Sequence, residues 1–175
     1  MVRALSCARQ HKPVAIKPGI SSLLRYLSDA GVPLAVATSS QRATVERKLE
    51  LAQIDHHFQF AICGGETKRG KPDTDPYLKA TSDSGIALHA TWAIEDSDNG
   101  VWAAHRAGLT VFQIPDELEP SDEVRSLGHV ILESAQQIYE RIKLAMLVIN
   151  LCTCSQSVVK PQELGPVFDY RYPRQ

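Results

Sequence analysis

At 175 residues, with 43% hydrophobic and 22% charged side chains, the chain has the make-up of one globular domain with a buried core, which excludes a disordered, collagenous or low-complexity polypeptide. Lys and Arg number 19 against 20 Asp and Glu, a net charge of −1, and no basic stripe suggests nucleic acid or an anionic membrane surface as a partner. The longest apolar run, Leu144 to Ile149 and again at Leu151, is far short of the ~20 residues of a membrane span, and Met1 to Arg9 lacks the continuous apolar stretch of a secretory signal.

In chain order, Ile20, Leu23, Leu24 and Leu27 fall on one helical face, which predicts an amphipathic helix over 19–30 closed by Gly31. Pro33 to Ala37 reads as a short buried strand. It ends in Thr38-Ser39-Ser40, hydroxyl residues able to cap a helix whose apolar face is Val45, Leu49 and Ala52. Phe60 to Cys63 is a second strand, stopped by Gly64-Gly65, and a polar loop through Lys68, Arg69, Gly70, Lys71 and Pro72 leads to a helix through Tyr77, Leu78 and Ala80 as far as Gly85. Thr91 to Ile94 is a third strand delivering Glu95 and Asp96 at its carboxyl end, and the helix after it, with Val101, Ala104 and Ala107, is terminated by Gly108. Thr110 to Ile114 is a fourth strand, and His129 to Leu132 an edge strand. The last helix carries Ala135, Ile138, Ile142 and Ala145 on one face, a period that continues into Leu144 to Leu151. This alternation predicts an α/β fold, a parallel sheet with helices on both faces. We expect the core domain over 1–143, with 144–175 the end of the last helix and an irregular tail. Cys7, Cys63, Cys152 and Cys154 lack paired metal-site spacing and read as reduced thiols of a cytoplasmic protein. His56-His57 lies in a connection with no evident partner, Trp92 reads as core, and Trp102 as helix surface.

Ligands of such sheets bind beyond the carboxyl ends of the strands, so the residues there are the candidates. Thr38, Ser39 and Ser40 offer hydroxyls and backbone N–H groups to an anion such as phosphate, or simply cap a helix. Lys71 lies in a Gly-Lys-Pro turn, where Gly70 permits an unusual backbone angle and Pro72 suits the first turn of the following helix; it is a phosphate partner or a solvated surface charge. Glu95 and Asp96 are hard oxygen donors suited to Mg²⁺, or helix-capping acids.

Taken together, Lys17-Pro18-Gly19-Ile20, Ala35 to Ser40, Gly70-Lys71-Pro72 with Asp75-Pro76-Tyr77, and Glu95-Asp96-Ser97 with Asn99-Gly100 and Ala107-Gly108 resemble the Rossmann-like core of the haloacid dehalogenase superfamily. The likeness is to its β-phosphoglucomutase-like phosphatases and phosphomutases, and runs from about residue 12 to 143. It implies that Thr38, with Ser39 and Ser40 nearby, holds a transferring phosphoryl group. Lys71 would neutralise its charge, and Asp96 assisted by Glu95 would bind Mg²⁺. The implied reaction is phosphoryl transfer on a small phosphorylated metabolite through an aspartyl-phosphate; a protein partner is not legible.

The family's first strand ends in an Asp-x-Asp motif whose first carboxylate is the nucleophile, and a helical cap follows it. Neither is recognisable in this chain. Asp73-Thr74-Asp75 reads as helix-start acid, and Asp96-Ser97-Asp98 matches the metal motif instead. We therefore expect a sheet lacking its first central strand, with a gap between the strands that end at Ala37 and Ile94, no cap, and no turnover by this truncated chain. The alternative is a non-catalytic remnant of the fold that binds phosphate or a partner.

Overall fold

The computed structural model describes residues 16–152 apart from Glu117, and for 145–152 the backbone alone. Among them, β1 (Ala35–Ala37), β2 (Phe60–Ile62), β3 (Trp92–Glu95), β4 (Thr110–Gln113) and β5 (Val130–Ile131) alternate with α1 (Ile20–Asp29), α2 (Arg42–Leu51), α3 (Asp75–Ser84), α4 (Asp98–Arg106), α5 (Asp122–Arg125) and α6 (Ala135–Cys152). All strand pairings among the described residues are parallel, which crossover connections through helices make possible. They form two sheets, β1-β2 and β3-β4-β5, and the division lies between β1 and β3, where the sequence expects the gap.

Helices cover both faces of the β3-β4-β5 sheet. Alternation along β4 sends Val111 to one side, into a cluster with Tyr77, Ala93, Val101, Ala104 and Val124 from β3, α3, α4 and α5. Phe112 goes to the other, among Leu23, Leu132, Ala135, Ile138 and Ile142 from α1 and α6. Fully burying a side chain such as Leu23 or Ile138, 2% and 1% exposed, contributes about 1.5–3 kcal/mol. α1 begins at Gly19, whose φ of +84° is in the left-handed region and whose missing Cβ would sit 2.2 Å from the backbone nitrogen of Gln136. Only glycine lets the start of α1 back onto the start of α6.

Several local expectations change. The strand before Thr38 is not buried, Ala35 being exposed and Val36 half-buried, because among the described residues no strand pairs with the edge of β1 that faces the gap. Thr38-Ser39-Ser40 does not cap α2, whose N-cap is Gln41 without a side-chain bond; the Ser40 N–H instead donates to Thr38 Oγ1 at 3.1 Å, turning the chain back at the end of β1. Pro72 follows a cis peptide bond and precedes α3, and Pro76 takes the first-turn position. Gly70 does not adopt a positive φ, and the turn is closed by the Asp73 N–H on Gly70 O at 2.9 Å. His57 has a partner after all, with Nδ1 3.0 Å from Ser28 Oγ, which ties the turn after α2 to α1. Trp92 packs half-buried against Phe112, and Trp102 lies half-buried under the Arg106 guanidinium. α6 carries helix through Leu144 to Cys152; the expected tail from 153 on, and Cys7 and Cys154, lie outside the described residues.

Candidate active site

The carboxyl ends of β1 and β3 open into one cleft of about 440 Å³. β1 supplies Ala37, Thr38 and Ser39, β3 and its turn supply Ile94, Glu95, Asp96 and Ser97, and the loop before α3 supplies Lys71. Lys17 reaches the rim from the segment before α1, where it pairs with Asp116 at 2.8 Å. The structure thus brings together Thr38, Ser39, Lys71, Glu95 and Asp96. Ser40 is exposed and does not line the cleft; its N–H is spent on Thr38 and its carbonyl accepts from the Gly64 N–H at 2.8 Å.

Lys71 spans the division between the two sheets. Its Nζ donates to the Ala37 carbonyl of β1 at 2.9 Å and to the Glu95 carboxylate of β3, and it stands 5.0 Å from the centre of the Tyr77 ring. The side chains of Lys71 and Glu95 are 8% and 6% exposed, so both charges are largely removed from water. Such a pair gains little net stability, since desolvation offsets the attraction, but losing one partner strands the other. The Tyr77 hydroxyl, reaching across from α3, donates to the same Glu95 oxygen. Burial, reinforced by the Glu95 charge, pushes the Tyr77 phenol far above its ordinary range, so it stays a donor at any physiological pH. The other Glu95 oxygen occupies the space over Gly100 in the first turn of α4, where a Cβ would lie 1.8 Å from it.

At the end of β1 the Thr38 N–H is committed to the Ile62 carbonyl at 2.9 Å, and Thr38 Oγ1 accepts from the Ser40 N–H. The hydroxyl proton of Thr38 remains for an anion, and among the described residues the Ser39 N–H has no acceptor. Asp96 is exposed at the start of the turn into α4, and Ser97 caps that helix, its Oγ accepting from the Gly100 N–H at 3.3 Å.

Behind the cleft a polar chain fixes the start of α4. Asp98 accepts from the Ser121 N–H at 3.1 Å and from Gln113 Nε2 at 3.4 Å, and the Gln113 carbonyl oxygen is 2.8 Å from His129 Nε2. Burial pushes the Asp98 carboxyl up, but hydrogen bonds from Ser121 and Gln113 outweigh it and leave Asp98 below its usual value. Burial, helped by His105, holds His129 below the ordinary histidine value against the opposing pull of Asp98, and its Nδ1 is buried without a partner among the described residues.

Among the described residues no group of three His, Cys, Asp or Glu side chains could by itself hold a metal. Glu95 gives an oxygen to Lys71 and Tyr77, which leaves Asp96 as the open carboxylate. That donor set fits Mg²⁺, a hard ion that often takes one or two carboxylates and completes its shell with water and phosphate oxygens. Sequence reasoning did not give Tyr77 or Gly100 a role beside Glu95, nor Lys17 a place on the rim. The available signal was alternation: Glu95 shares a face of β3 with Ala93, and Ala93 packs in the cluster that contains Tyr77.

The sequence model of the haloacid dehalogenase-like hydrolase family matches residues 2–114. The chain is 26% identical over 127 residues to a protein named phosphorylated carbohydrates phosphatase from Thermotoga maritima, covering 72% of this chain and 59% of that one. It is also similar to a crystal structure of a haloacid dehalogenase family hydrolase from Deinococcus radiodurans with bound phosphate and sodium, at a TM-score of 0.65 and 29% identity, covering 74% of this chain and 60% of that one. A variant of CbbY from Rhodobacter sphaeroides in complex with xylulose-1,5-bisphosphate matches at a TM-score of 0.60 and 28% identity, over 72% of this chain and 57% of that one. The chain therefore spans less than two thirds of the length of these relatives. With the family's model matched over well more than half of its length, the chain belongs to the haloacid dehalogenase-like hydrolases.

Proposed function

We propose that the cleft binds the phosphoryl group of a small phosphorylated metabolite and belongs to a Mg²⁺-dependent phosphatase or phosphomutase of the cytoplasm. The observation that carries this reading is Lys71, a nearly buried cation held by Glu95, Tyr77 and the Ala37 carbonyl at the meeting point of two strand ends. A fixed positive charge in a site of low water content lowers the energy of an anionic transition state with little reorganisation. Lys71 neutralises phosphoryl charge, the Thr38 hydroxyl and the Ser39 N–H donate to its oxygens with Ser40 shaping the turn, and Glu95 and Tyr77 keep Lys71 in place. Asp96, with Glu95 beside it, is the carboxylate side of the Mg²⁺ site. When bound, Mg²⁺ supplies positive charge that shields anionic groups from one another. The names of the relatives, a phosphatase of phosphorylated carbohydrates and a protein crystallised with a sugar bisphosphate, support the substrate class.

Transfer in this reading passes through an aspartyl-phosphate. Among the described residues that line the cleft the carboxylates are Glu95 and Asp96, and both are assigned to Lys71 and the metal, so the nucleophile is not among them. In this reading the described residues bind the phosphoryl group and do not by themselves turn it over. The divided sheet favours a second reading, a non-catalytic remnant that binds phosphate or a partner. An assay of phosphate release from a panel of sugar phosphates with Mg²⁺, on the chain and on Lys71→Ala, tests both. Release abolished by Lys71→Ala shows that the cleft turns substrate over on its own and removes both the no-turnover statement and the second reading, whereas phosphate binding without release supports a phosphoryl site that lacks its nucleophile.

A further inference from the structure

The proposed site leaves unused three polar side chains behind the cleft: Asp98 in the first turn of α4, Gln113 at the end of β4 and His129 just before β5. Gln113 is 1% exposed, and it lies in register with Glu95 of the neighbouring strand. An amide buried this completely must satisfy both its oxygen and its nitrogen. Its Nε2 lies 3.4 Å from Asp98 Oδ1, and its Oε1 lies 2.8 Å from His129 Nε2. A carboxylate only accepts, so the amide turns its NH₂ to Asp98 and its oxygen to the imidazole. The ring nitrogen facing that oxygen must then carry the proton, which makes His129 the Nε2–H tautomer. Its Nδ1, buried without a partner among the described residues, is left as a bare lone pair rather than an orphaned N–H. The reversed amide would set two acceptors against each other at Asp98 and strand a buried donor at Nδ1, both at a cost.

We infer that His129 and Gln113 are positioning residues for Asp96: the Nε2–H of His129 fixes the Gln113 amide, the amide and the Ser121 N–H fix Asp98, and Asp98 fixes the turn that carries Asp96. Asp96 is exposed, so the backbone on either side of it decides where its carboxylate stands. On the strand side that backbone is held at Glu95, whose carbonyl accepts from the Ile114 N–H at 2.7 Å. On the helix side the Ser97 cap is a bond within the turn itself, to the Gly100 N–H. Asp98 ties that turn outward, to β4 through Gln113 and to the start of α5 through the Ser121 N–H at 3.1 Å. The inference rests on the reading of Asp96 as the carboxylate side of a Mg²⁺ site, and adds that the geometry of that site is set from the β4 and β5 side of the sheet, by groups that touch neither metal nor phosphate.

The test is a titration of the full chain, isotope-labelled, with Mg²⁺ in the presence of inorganic phosphate, followed through the backbone signal of Asp96. The ring nitrogen shifts of His129 at neutral pH are expected to show Nε2 protonated and Nδ1 bare; the opposite tautomer overturns the inference. Gln113→Met keeps the length of the side chain and removes the amide, and is expected to raise the Kd for Mg²⁺ by about tenfold, while the shifts of Thr38 and Ser39 with phosphate alone stay as they are. His129→Leu is expected to do the same, and His129→Gln, whose amide donates from near the place of Nε2, to keep the wild-type Kd. Should Gln113→Met fail to fold, the two His129 variants and the ring nitrogen shifts decide. Unchanged Mg²⁺ affinity in Gln113→Met and His129→Leu, with binding lost in Asp96→Asn, overturns the inference and leaves the Mg²⁺ reading standing. An equal weakening of the phosphate shifts without Mg²⁺ overturns it in favour of a general loosening of the fold. Absence of any saturable Mg²⁺ shift at Asp96 in the unmodified chain overturns the Mg²⁺ reading, and the inference with it.

Discussion

One oxygen of Glu95 accepts from both Lys71 and Tyr77 while the other lies over Gly100, so this carboxylate decides where the cation of the cleft stands. Tyr77→Phe keeps the ring and removes one donor from a buried charge, a loss of about 1–3 kcal/mol. Urea unfolding should show that drop. An unchanged midpoint would mean the hydroxyl is not engaged. Gly100→Ala drives a methyl into the carboxylate at 1.8 Å, so Glu95 must turn away; the expected outcome is a shifted Lys71 ammonium signal and weaker phosphate binding, and retention of both would contradict the contact. His129 is held below its reference value of 6.5 by burial, so its neutral form belongs to the folded state. Its contribution is complete above that value and is lost as pH falls through the folded one. Stability should therefore decline as pH falls below the reference value of 6.5, with a shallower slope in His129→Gln; identical slopes would show that His129 plays no part in it. The acidic pair after β3 was legible as residue types after an apolar strand. That one acid is drawn into an ion pair and the other faces water was not, because it depends on α3 packing over the face that holds Ala93.

Helices were legible wherever a sustained apolar stripe meets a clear stop: α1 ends before Gly31, α3 at Gly85 and α4 before Gly108. Turn chemistry was harder. Thr38 to Ser40 has the composition of a helix cap, yet the turn at the end of β1 consumes the Ser40 N–H and delays α2 to Arg42, and Pro76 rather than Pro72 opens α3. Those outcomes are set by contacts between segments, such as the Gly64 N–H on Ser40 O, which no local pattern carries. The packing of α1 on α6 gives a direct prediction. Gly19 and Gly31 both have positive φ, +84° and +69°, but only at Gly19 does a Cβ collide with neighbouring backbone. Gly31→Ala should cost about 1 kcal/mol for its backbone angle alone, and Gly19→Ala about 2 kcal/mol or more. Equal costs in chemical unfolding would show that α1 does not approach α6 this closely.

The described residues form two parallel sheets held together by the helices over them and by the Lys71 bridge at their carboxyl ends. The parallel α/β class was legible from the alternation of strands and helices, and the place of the division only through the family resemblance; which groups hold the halves together was not, since Lys71, Glu95 and Tyr77 come from segments whose meeting only the packing of α3 against β3 decides. The β1-β2 pair has fewer partners than the three-stranded sheet, so its amides should exchange faster than those of β4, in native-state exchange at neutral pH. Uniform protection across both sheets would indicate that the division is closed in solution. The proposed function rests on the cleft being an anion site built around Lys71. The most direct test is a titration with inorganic phosphate and Mg²⁺ followed through the backbone signals of Thr38, Ser39 and Asp96 and the Lys71 ammonium. Saturable shifts at these positions, abolished by Lys71→Ala and made insensitive to Mg²⁺ by Asp96→Asn, are the predicted result; shifts absent from these residues, or unaltered in both variants, would contradict it.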